Sequence, residues 1–228
     1  MLLEICVTSL ESALTAQHAG ADQIELCYNL QEGGTTPDYE TIEACRKNLT
    51  IKLHIMIRPR SGDFFYSDSE FEQMKKEIEM AKQLKADGVV FGILTAEKKV
   101  DVERIKELVI LSRPMKVTFH RAFDETIDPF EALNSIITCG ANILLTSGQK
   151  EKAIEGADLI HQLKIQANGK IKIMAGSGIT DENILELAAK TGIKSFHGSA
   201  KIINGAKEMI YADEGMIGKM KSHLSKLI

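Results

Sequence analysis

The stretch LEICVTSLESALTAQHAGADQIELC, residues 3–27, contains two apolar runs separated by a helix-like segment. The runs LEICV and IELC have the length and composition of buried strands. Gly20 lies shortly before the second run, and glycine favours the left-handed backbone conformation that ends a helix. The stretch therefore predicts a strand, a helix and a second strand parallel to the first.

The same alternation continues along all 228 residues, and no linker rich in Gly, Pro or Ser divides them. Strands are predicted near residues 2–7, 23–27, 51–57, 88–92, 115–120, 142–146, 171–175 and 194–197. Helices are predicted near residues 9–19, 38–48, 68–85, 101–112, 129–139, 150–166, 181–190 and 215–227. Eight such units predict the α/β class and a single (β/α)8 TIM-barrel domain over residues 1–228. The alternative is a doubly wound sheet, which usually has a glycine-rich loop after its first strand, where this chain has Thr8-Ser9-Leu10.

Several helix starts are indicated by capping residues. Ser67 and Glu70 have the spacing of a capping box, in which each side chain satisfies a free backbone N–H group of the other residue. Asp128 precedes a proline, which suits the first position of a helix. Thr36 and Thr180 are predicted to cap two further helices.

Composition limits the classes of protein to which the chain can belong. The net charge is −4, so no basic face for nucleic acid is expected. The apolar stretches are far shorter than the roughly 20 residues that span a bilayer. The N-terminus lacks the features of a secretory signal. We therefore expect a cytoplasmic protein with no membrane partner, whose four cysteines are reduced thiols.

Alternate residues of a barrel strand point to the helices or to the lumen. In the third predicted strand Leu53 and Ile55 must face the helices, so Arg58 should point into the barrel mouth. The same parity turns Glu4 and Cys6 of the first strand inward. Sites of barrel proteins lie at the C-terminal strand ends. The predicted mouth contains Cys6, Cys27, Arg58, His120 and His197, with Glu25 one layer below.

The two mouth cysteines have two interpretations. A Cys in an apolar strand is commonly a small buried residue. However, neighbouring strands lie about 4.8 Å apart, and thiolates on two such strands suit a soft ion such as Cu(I). Met56 and Met174 are further soft candidates. No CxxC or HxxxH motif supports a metal site by spacing. Cys45 and Cys139 lie on predicted helices and are interpreted as core residues.

Two glycine-containing loops follow the last two predicted strands. Many barrels bind phosphate there through backbone N–H groups, and the occurrence of two such loops favours an anion site over the alternative of simple tight turns. The candidate anion-binding residues are Gly176, Ser177, Gly178, Gly198 and Ser199. Arg58 and Arg121 add positive charge to the same rim, and a lumen arginine is costly unless it is paired, for example with Glu25, or binds an anion. The aromatic loop at residues 60–67 is interpreted as a lid or as a dimer contact.

Several motifs together resemble the CutC copper-homeostasis family. They include the opening stretch, EGGTTPD (32–38), RPRSGDF (58–64), TFHRAFD (118–124) and FHGSA (196–200), in order and with matching spacing from residue 2 to about residue 200. The resemblance implies a cytoplasmic (β/α)8 barrel associated with copper handling. It also implies Cu(I) binding by Cys6 and Cys27, and a polar mouth containing Arg58, His120, Arg121, Asp124 and His197.

Three functional hypotheses follow. The first is a copper-homeostasis protein that binds Cu(I) through Cys6 and Cys27. The second is an isomerase- or lyase-like enzyme acting on a small phosphorylated or carboxylated substrate, without an organic cofactor. Its candidate catalytic residues are Glu25, Arg58, His120, Asp124 and His197, with Asp124 orienting a histidine. The third is a scaffold that forms a homodimer through the aromatic loop.

Overall fold

The computed structural model describes residues 1–204 and 209–227. Its strands are β1 (Leu2–Val7), β2 (Gln23–Leu26), β3 (Lys52–Met56), β4 (Gly88–Phe91), β5 (Lys116–Phe119), β6 (Ile143–Thr146), β7 (Lys172–Gly176), β8 (Ser195–Gly198), β9 (Lys201–Asn204) and β10 (Met209–Ala212). Its α-helices are α1 (Leu10–His18), α2 (Tyr39–Asn48), α3 (Asp68–Gln83), α4 (Val102–Ser112), α5 (Pro129–Cys139), α6 (Ala157–Ala167), α7 (Ile184–Thr191) and α8 (Glu214–Ser225). Short 3-10 helices span Leu30–Glu32 and Arg121–Glu125.

Strands β1 to β8 form a closed parallel barrel in sequence order. Each lies within one residue of its predicted bounds, so the predicted (β/α)8 fold is confirmed. The barrel closes where β1 pairs with β8, which places Glu4 directly opposite His197. On the other side of β1, Cys6 is opposite Glu25 of β2. Closure therefore puts residues that are almost 200 positions apart in sequence side by side.

The main hydrophobic core lies between the barrel and its surrounding helices. Leu3, Ile5, Leu53 and Ile55 are fully buried in this core, as strand parity predicts. A smaller apolar cluster within the barrel contains Cys6, Cys27, Met56 and Val90. Parallel strands covered on both faces bury nearly every residue, so the inward polar residues are buried as well.

Two predicted caps are confirmed and two are wrong. Ser67 forms a complete capping box with Glu70, and the Asp128 side chain accepts from two backbone N–H groups at the start of α5. Thr36 does not cap α2, because its hydroxyl accepts from the Arg58 N–H and donates to Glu77. The cap of α2 is Asp38, two residues later. In place of Thr180, Asn183 lies at the N-terminus of α7.

The sixth helix begins seven residues later than predicted, at Ala157 instead of residue 150. Gly156 packs so closely on the preceding loop that a Cβ atom there would lie 2.0 Å from the carbonyl oxygen of Ser147. Residues 153–156 form turns before the helix begins, and Gly156 packs against the end of β6. The β9–β10 hairpin was not predicted; it is antiparallel and separate from the barrel sheet.

In the described part of the chain, no helix combines the length and apolar character needed to cross a membrane.

Candidate metal and anion site at the barrel mouth

The floor of the lumen is a polar network around Glu4. One Glu4 oxygen accepts from Nδ1 of His197 at 2.7 Å, and the other accepts from the side-chain amide of Gln23. The same amide lies 3.1 Å from Nδ1 of His54. Burial alone would raise the pKa of Glu4, but His197 and the other donors outweigh burial and lower this pKa. Glu4 is therefore a buried carboxylate with both oxygens partnered.

Cys6 and Cys27 meet above this floor, with their Sγ atoms 3.3 Å apart and both thiols free. The contact with Cys27 and burial raise the pKa of Cys6 well above its usual value, so Cys6 is protonated in the absence of a metal. Cys6 lines the mouth cavity, whereas Cys27 is fully buried. Gly34 covers Cys27 closely, since a Cβ atom on Gly34 would lie 3.4 Å from its sulfur.

Glu25 reaches the mouth beside Cys6 instead of lying one layer below it, because the two residues are register partners. Its Oε2 atom is 4.0 Å from Nδ1 of His197. This oxygen is buried and has no hydrogen-bond partner among the described residues. Burial raises the pKa of Glu25 to about 7, although the charge of His197 acts in the opposite direction. Glu25 can therefore exchange a proton near neutral pH.

Arg58 is held by loop backbone and not by Glu25. Its guanidinium donates to the carbonyl oxygens of Glu32 at 2.9 Å, Gly34 at 3.0 Å and Gly62 at 2.8 Å. It also lies over the Phe64 ring, 4.9 Å from the centroid. Its Nε atom is buried and has no hydrogen-bond partner in the described residues. Arg58 thus joins the loops after β2 and β3 at one side of the mouth.

His120 is a neutral, buried member of the mouth. Its Nδ1 accepts from the backbone N–H of Ala122 at 3.2 Å, so the ring proton is on Nε2. Within the described structure this Nε2 atom has no partner. Burial, followed by the nearby charge of Arg58, lowers the pKa of His120 to about 3. His120 is therefore suited to donate a hydrogen bond, not to carry a charge.

The prediction that Asp124 orients a histidine is wrong. Its carboxylate accepts from Nε of Arg121 at 2.9 Å, from the backbone and hydroxyl of Ser147, and from the hydroxyl of Thr146. The backbone N–H of Gln149 donates to it as well. Asp124 therefore fixes the loop after β6 and holds Arg121 at the rim. The sequence could not show this, because the loop conformation decides which groups reach the carboxylate.

The predicted site residues line a common cavity of about 580 Å³, except for two. The predicted site residues that line it are Cys6, Glu25, Arg58, His120, Asp124, Ser177, Gly178, His197, Gly198 and Ser199. The exceptions are Cys27, which lies beneath Gly34, and Gly176. A Cβ atom on Gly176 would be 2.7 Å from the Leu145 side chain, so close packing explains this glycine. The hydroxyl of Ser177 donates to the carbonyl oxygen of Glu151.

The prediction that Cys45 and Cys139 are core residues is confirmed, since both are buried within the main hydrophobic cluster. Sequence reasoning missed two contributors to the site. Phe64, from the aromatic loop, lines the cavity between Arg58 and His120, and its ring centroid is 4.9 Å from that of His120. Glu4 was placed in the lumen, but its bond to His197 follows only from the pairing of the first and last strands.

Known proteins match this chain over most of its length. The model of the CutC family matches residues 1–202. A CutC family protein from Bacteroides thetaiotaomicron is 51% identical over 199 residues, which cover 87% of this chain and 80% of that protein. The human copper homeostasis protein cutC homolog is 48% identical over 200 residues, 88% of this chain and 73% of the human protein.

Solved structures agree with this assignment. The crystal structure of CutC from Streptococcus agalactiae matches with a TM-score of 0.84 at 35% identity, and the match covers 87% of this chain and 98% of that one. Phosphoribosylanthranilate isomerase from Thermotoga maritima matches with a TM-score of 0.65 at 13% identity, which is a similarity of fold alone. The barrel, the order of its motifs and the matched family model together place this chain in the CutC family.

Proposed function

We propose that this protein acts in copper homeostasis by binding Cu(I) through Cys6 and Cys27. The observation that carries the proposal is the 3.3 Å separation of two reduced sulfur atoms at the end of adjacent strands. An ion about 2.3 Å from each sulfur, the distance found in zinc thiolates, could contact both sulfurs. Thiolates and thioethers favour Cu(I), and Met56 belongs to the same buried cluster.

Burial supports a soft ion over a hard one at the cysteine pair. Cys27 is enclosed by Gly34 and Met56, so few oxygen donors or waters can approach its sulfur. The raised pKa of Cys6 means that binding must displace a proton. A metal that binds thiolates strongly overcomes this cost, because the bound ion stabilises the deprotonated sulfur.

The test is an anaerobic Cu(I) titration of the reduced protein against a chromogenic competing chelator. We expect Cys6→Ala and Cys27→Ala each to weaken Cu(I) binding by at least about 10–100-fold, since loss of an outer supporting residue alone has that effect on metal sites. The matched control is the variant Cys45→Ala with Cys139→Ala, which removes two buried thiols outside the barrel. Unchanged affinity after loss of Cys6 and Cys27, or equal loss in the control, would overturn the proposal.

A second candidate function, an enzyme that acts on a small anionic substrate, is supported by the cavity itself. Its volume of about 580 Å³ is in the range of about 300–1,000 Å³ typical of small-molecule sites. The wall contains Glu25, with a pKa of about 7, and the neutral His120. These are suitable properties for a general base and a hydrogen-bond donor. Arg121, with its side chain 43% exposed, supplies positive charge at the rim.

Inorganic phosphate is the probe for this second function. By calorimetry we expect phosphate to bind the wild-type protein and to bind Arg121→Ala at least about tenfold more weakly, which corresponds to the loss of one charge-assisted contact. The matched control is Lys116→Ala, because Lys116 is an exposed cation at the opposite end of β5. A protein that does not bind phosphate, or one that is weakened equally by both substitutions, would contradict an anion site at the mouth.

A further inference from the structure

A second set of potential metal ligands shares one residue with the cysteine pair. One donor atom from each of Cys6, Glu25 and His197 lies within 4.8 Å of the other two. The three residues come from β1, β2 and β8, which are neighbours because the barrel closes. All three line the mouth cavity. They are the only group of three or more His, Cys, Asp or Glu residues with this geometry in the described part of the chain.

The hydrogen bonding of Glu25 leaves one acceptor atom available at this cluster. Glu25 is only 2% exposed, yet its Oε2 atom has no partner among residues 1–204 and 209–227. Buried polar atoms without a partner are rare in folded proteins, and each one calls for an explanation such as an ion or water. A cation between Glu25, Cys6 and His197 would satisfy this oxygen.

The imidazole of His197 is already oriented in the way that metal-binding histidines are. Its Nδ1 donates to Oε1 of Glu4 at 2.7 Å, which leaves Nε2 as the nitrogen available to a ligand. Histidines that bind metals almost always donate their other ring N–H to a carboxylate, carbonyl or water, because that bond fixes the ring and increases its basicity. Glu4 has this supporting position beneath His197.

We propose that Cys6, Glu25 and His197 bind a divalent ion of the zinc type, with a further coordination position open to the mouth cavity. One sulfur, one oxygen and one nitrogen donor suit Zn²⁺, which accepts all three. They suit Cu(I) less well, because that ion prefers sulfur. The inference does not rest on Cu(I) binding: Cys27 belongs only to the cysteine pair, Glu25 and His197 belong only to the divalent site, and Cys6 belongs to both.

The open position gives the site a chemical role. Three protein ligands and one open position are the arrangement of catalytic zinc sites, in which the ion polarises a carbonyl or phosphoryl oxygen of the substrate. The three residues line a cavity with Arg121 and the loops after β7 and β8 on its rim. The class of ligand is therefore a small molecule with an oxygen anion or a polarised carbonyl group. Because the sulfur of Cys6 belongs to both sites, binding of the divalent ion should change the affinity for Cu(I).

The experiment measures Co²⁺ binding to the reduced, metal-free protein by visible absorption, with Zn²⁺ displacement as confirmation. The wild-type protein should give a thiolate-to-cobalt charge-transfer band together with the d–d bands of four-coordinate Co²⁺. Glu25→Gln and His197→Gln should each weaken Co²⁺ binding by at least about tenfold and leave Cu(I) affinity unchanged. Cys27→Ala should weaken Cu(I) binding and leave Co²⁺ binding unchanged. Cys6→Ala should weaken the binding of both metals.

Glu25→Gln keeps the test valid even if His197→Gln does not fold, because it preserves the size and polarity of the side chain and does not break the bond between Glu4 and His197. Absence of Co²⁺ binding to the wild-type protein would overturn the divalent site. So would Co²⁺ affinity that falls with Cys27→Ala as much as with Glu25→Gln, since the cysteine pair would then be the site. Failure of Cu(I) binding alone would overturn only the function proposed above.

Discussion

The floor and the mouth of this barrel contain similar residues in opposite states of hydrogen bonding. At the floor, Glu4 has both carboxylate oxygens partnered, one of them by His197. At the mouth, Glu25, Arg58 and His120 each retain one buried polar atom that has no partner in the described structure. Glu4 and Glu25 lie on adjacent strands and are both buried. A difference in burial therefore cannot explain the difference in their hydrogen bonding. Satisfied polar groups contribute to stability, and unsatisfied ones are available for a ligand.

The largest effect is expected from Glu4→Gln at the floor. Removal of one partner from a buried, hydrogen-bonded charged group costs about 3–5 kcal/mol, because the remaining polar groups are left without compensation. We expect the free energy of unfolding at pH 7, measured in urea on the metal-free protein, to fall by about that amount. The matched control is Glu43→Gln, which breaks an exposed pair with Lys47 and should cost less than about 1 kcal/mol. Similar losses for the two variants would mean that the floor network does not stabilise the barrel.

A smaller effect of the opposite sign is expected from Glu25→Gln at the mouth. Burial raises the pKa of Glu25 from 4.5 in the unfolded chain to about 7 in the folded protein. The stability from its protonated form is therefore complete below pH 4.5 and is lost as the pH rises through 7. Glutamine does not ionise, so the variant should gain about 2–3 kcal/mol over wild type between about pH 5 and pH 8.

This second prediction is measured as the difference between the urea unfolding curves of variant and wild type at several pH values, without metal. A difference that does not change with pH would show that Glu25 has the same pKa in the folded and unfolded states. A variant that becomes less stable than wild type as the pH rises would show that Glu25 is stabilised as a carboxylate, as Glu4 is.

The smallest effect on stability is expected from Arg121→Ala at the rim. Arg121 pairs with Asp124 at 2.9 Å, but its side chain is 43% exposed, and such pairs contribute less than about 1 kcal/mol. Asp124→Asn should cost more, because Ser147 and Thr146 depend on the same carboxylate. Thermal unfolding of the two variants provides the measurement. A loss of stability in Arg121→Ala as large as in Asp124→Asn would place Arg121 in the structural part of the mouth.

Strand parity was sufficient to predict most of the site. Because side chains alternate between the two faces of a strand, the sequence alone brings Cys6, Glu25 and His197 into one lumen. Parity could not predict the partners of Arg58 or Asp124, because these are backbone and hydroxyl groups of loops. The close packing of Gly156 against Ser147 is likewise not visible in the sequence. For this reason the predicted start of α6 is too early.

The position of Gly34 over Cys27 gives the cysteine pair a direction. An ion that arrives from solvent meets Cys6 first, because Cys6 lines the cavity, and it reaches Cys27 only after passing that first sulfur. An ion that leaves the pair would then pass the two sulfurs in the reverse order, Cys27 first and Cys6 second. A thiol-specific reagent should accordingly modify Cys6 before Cys27.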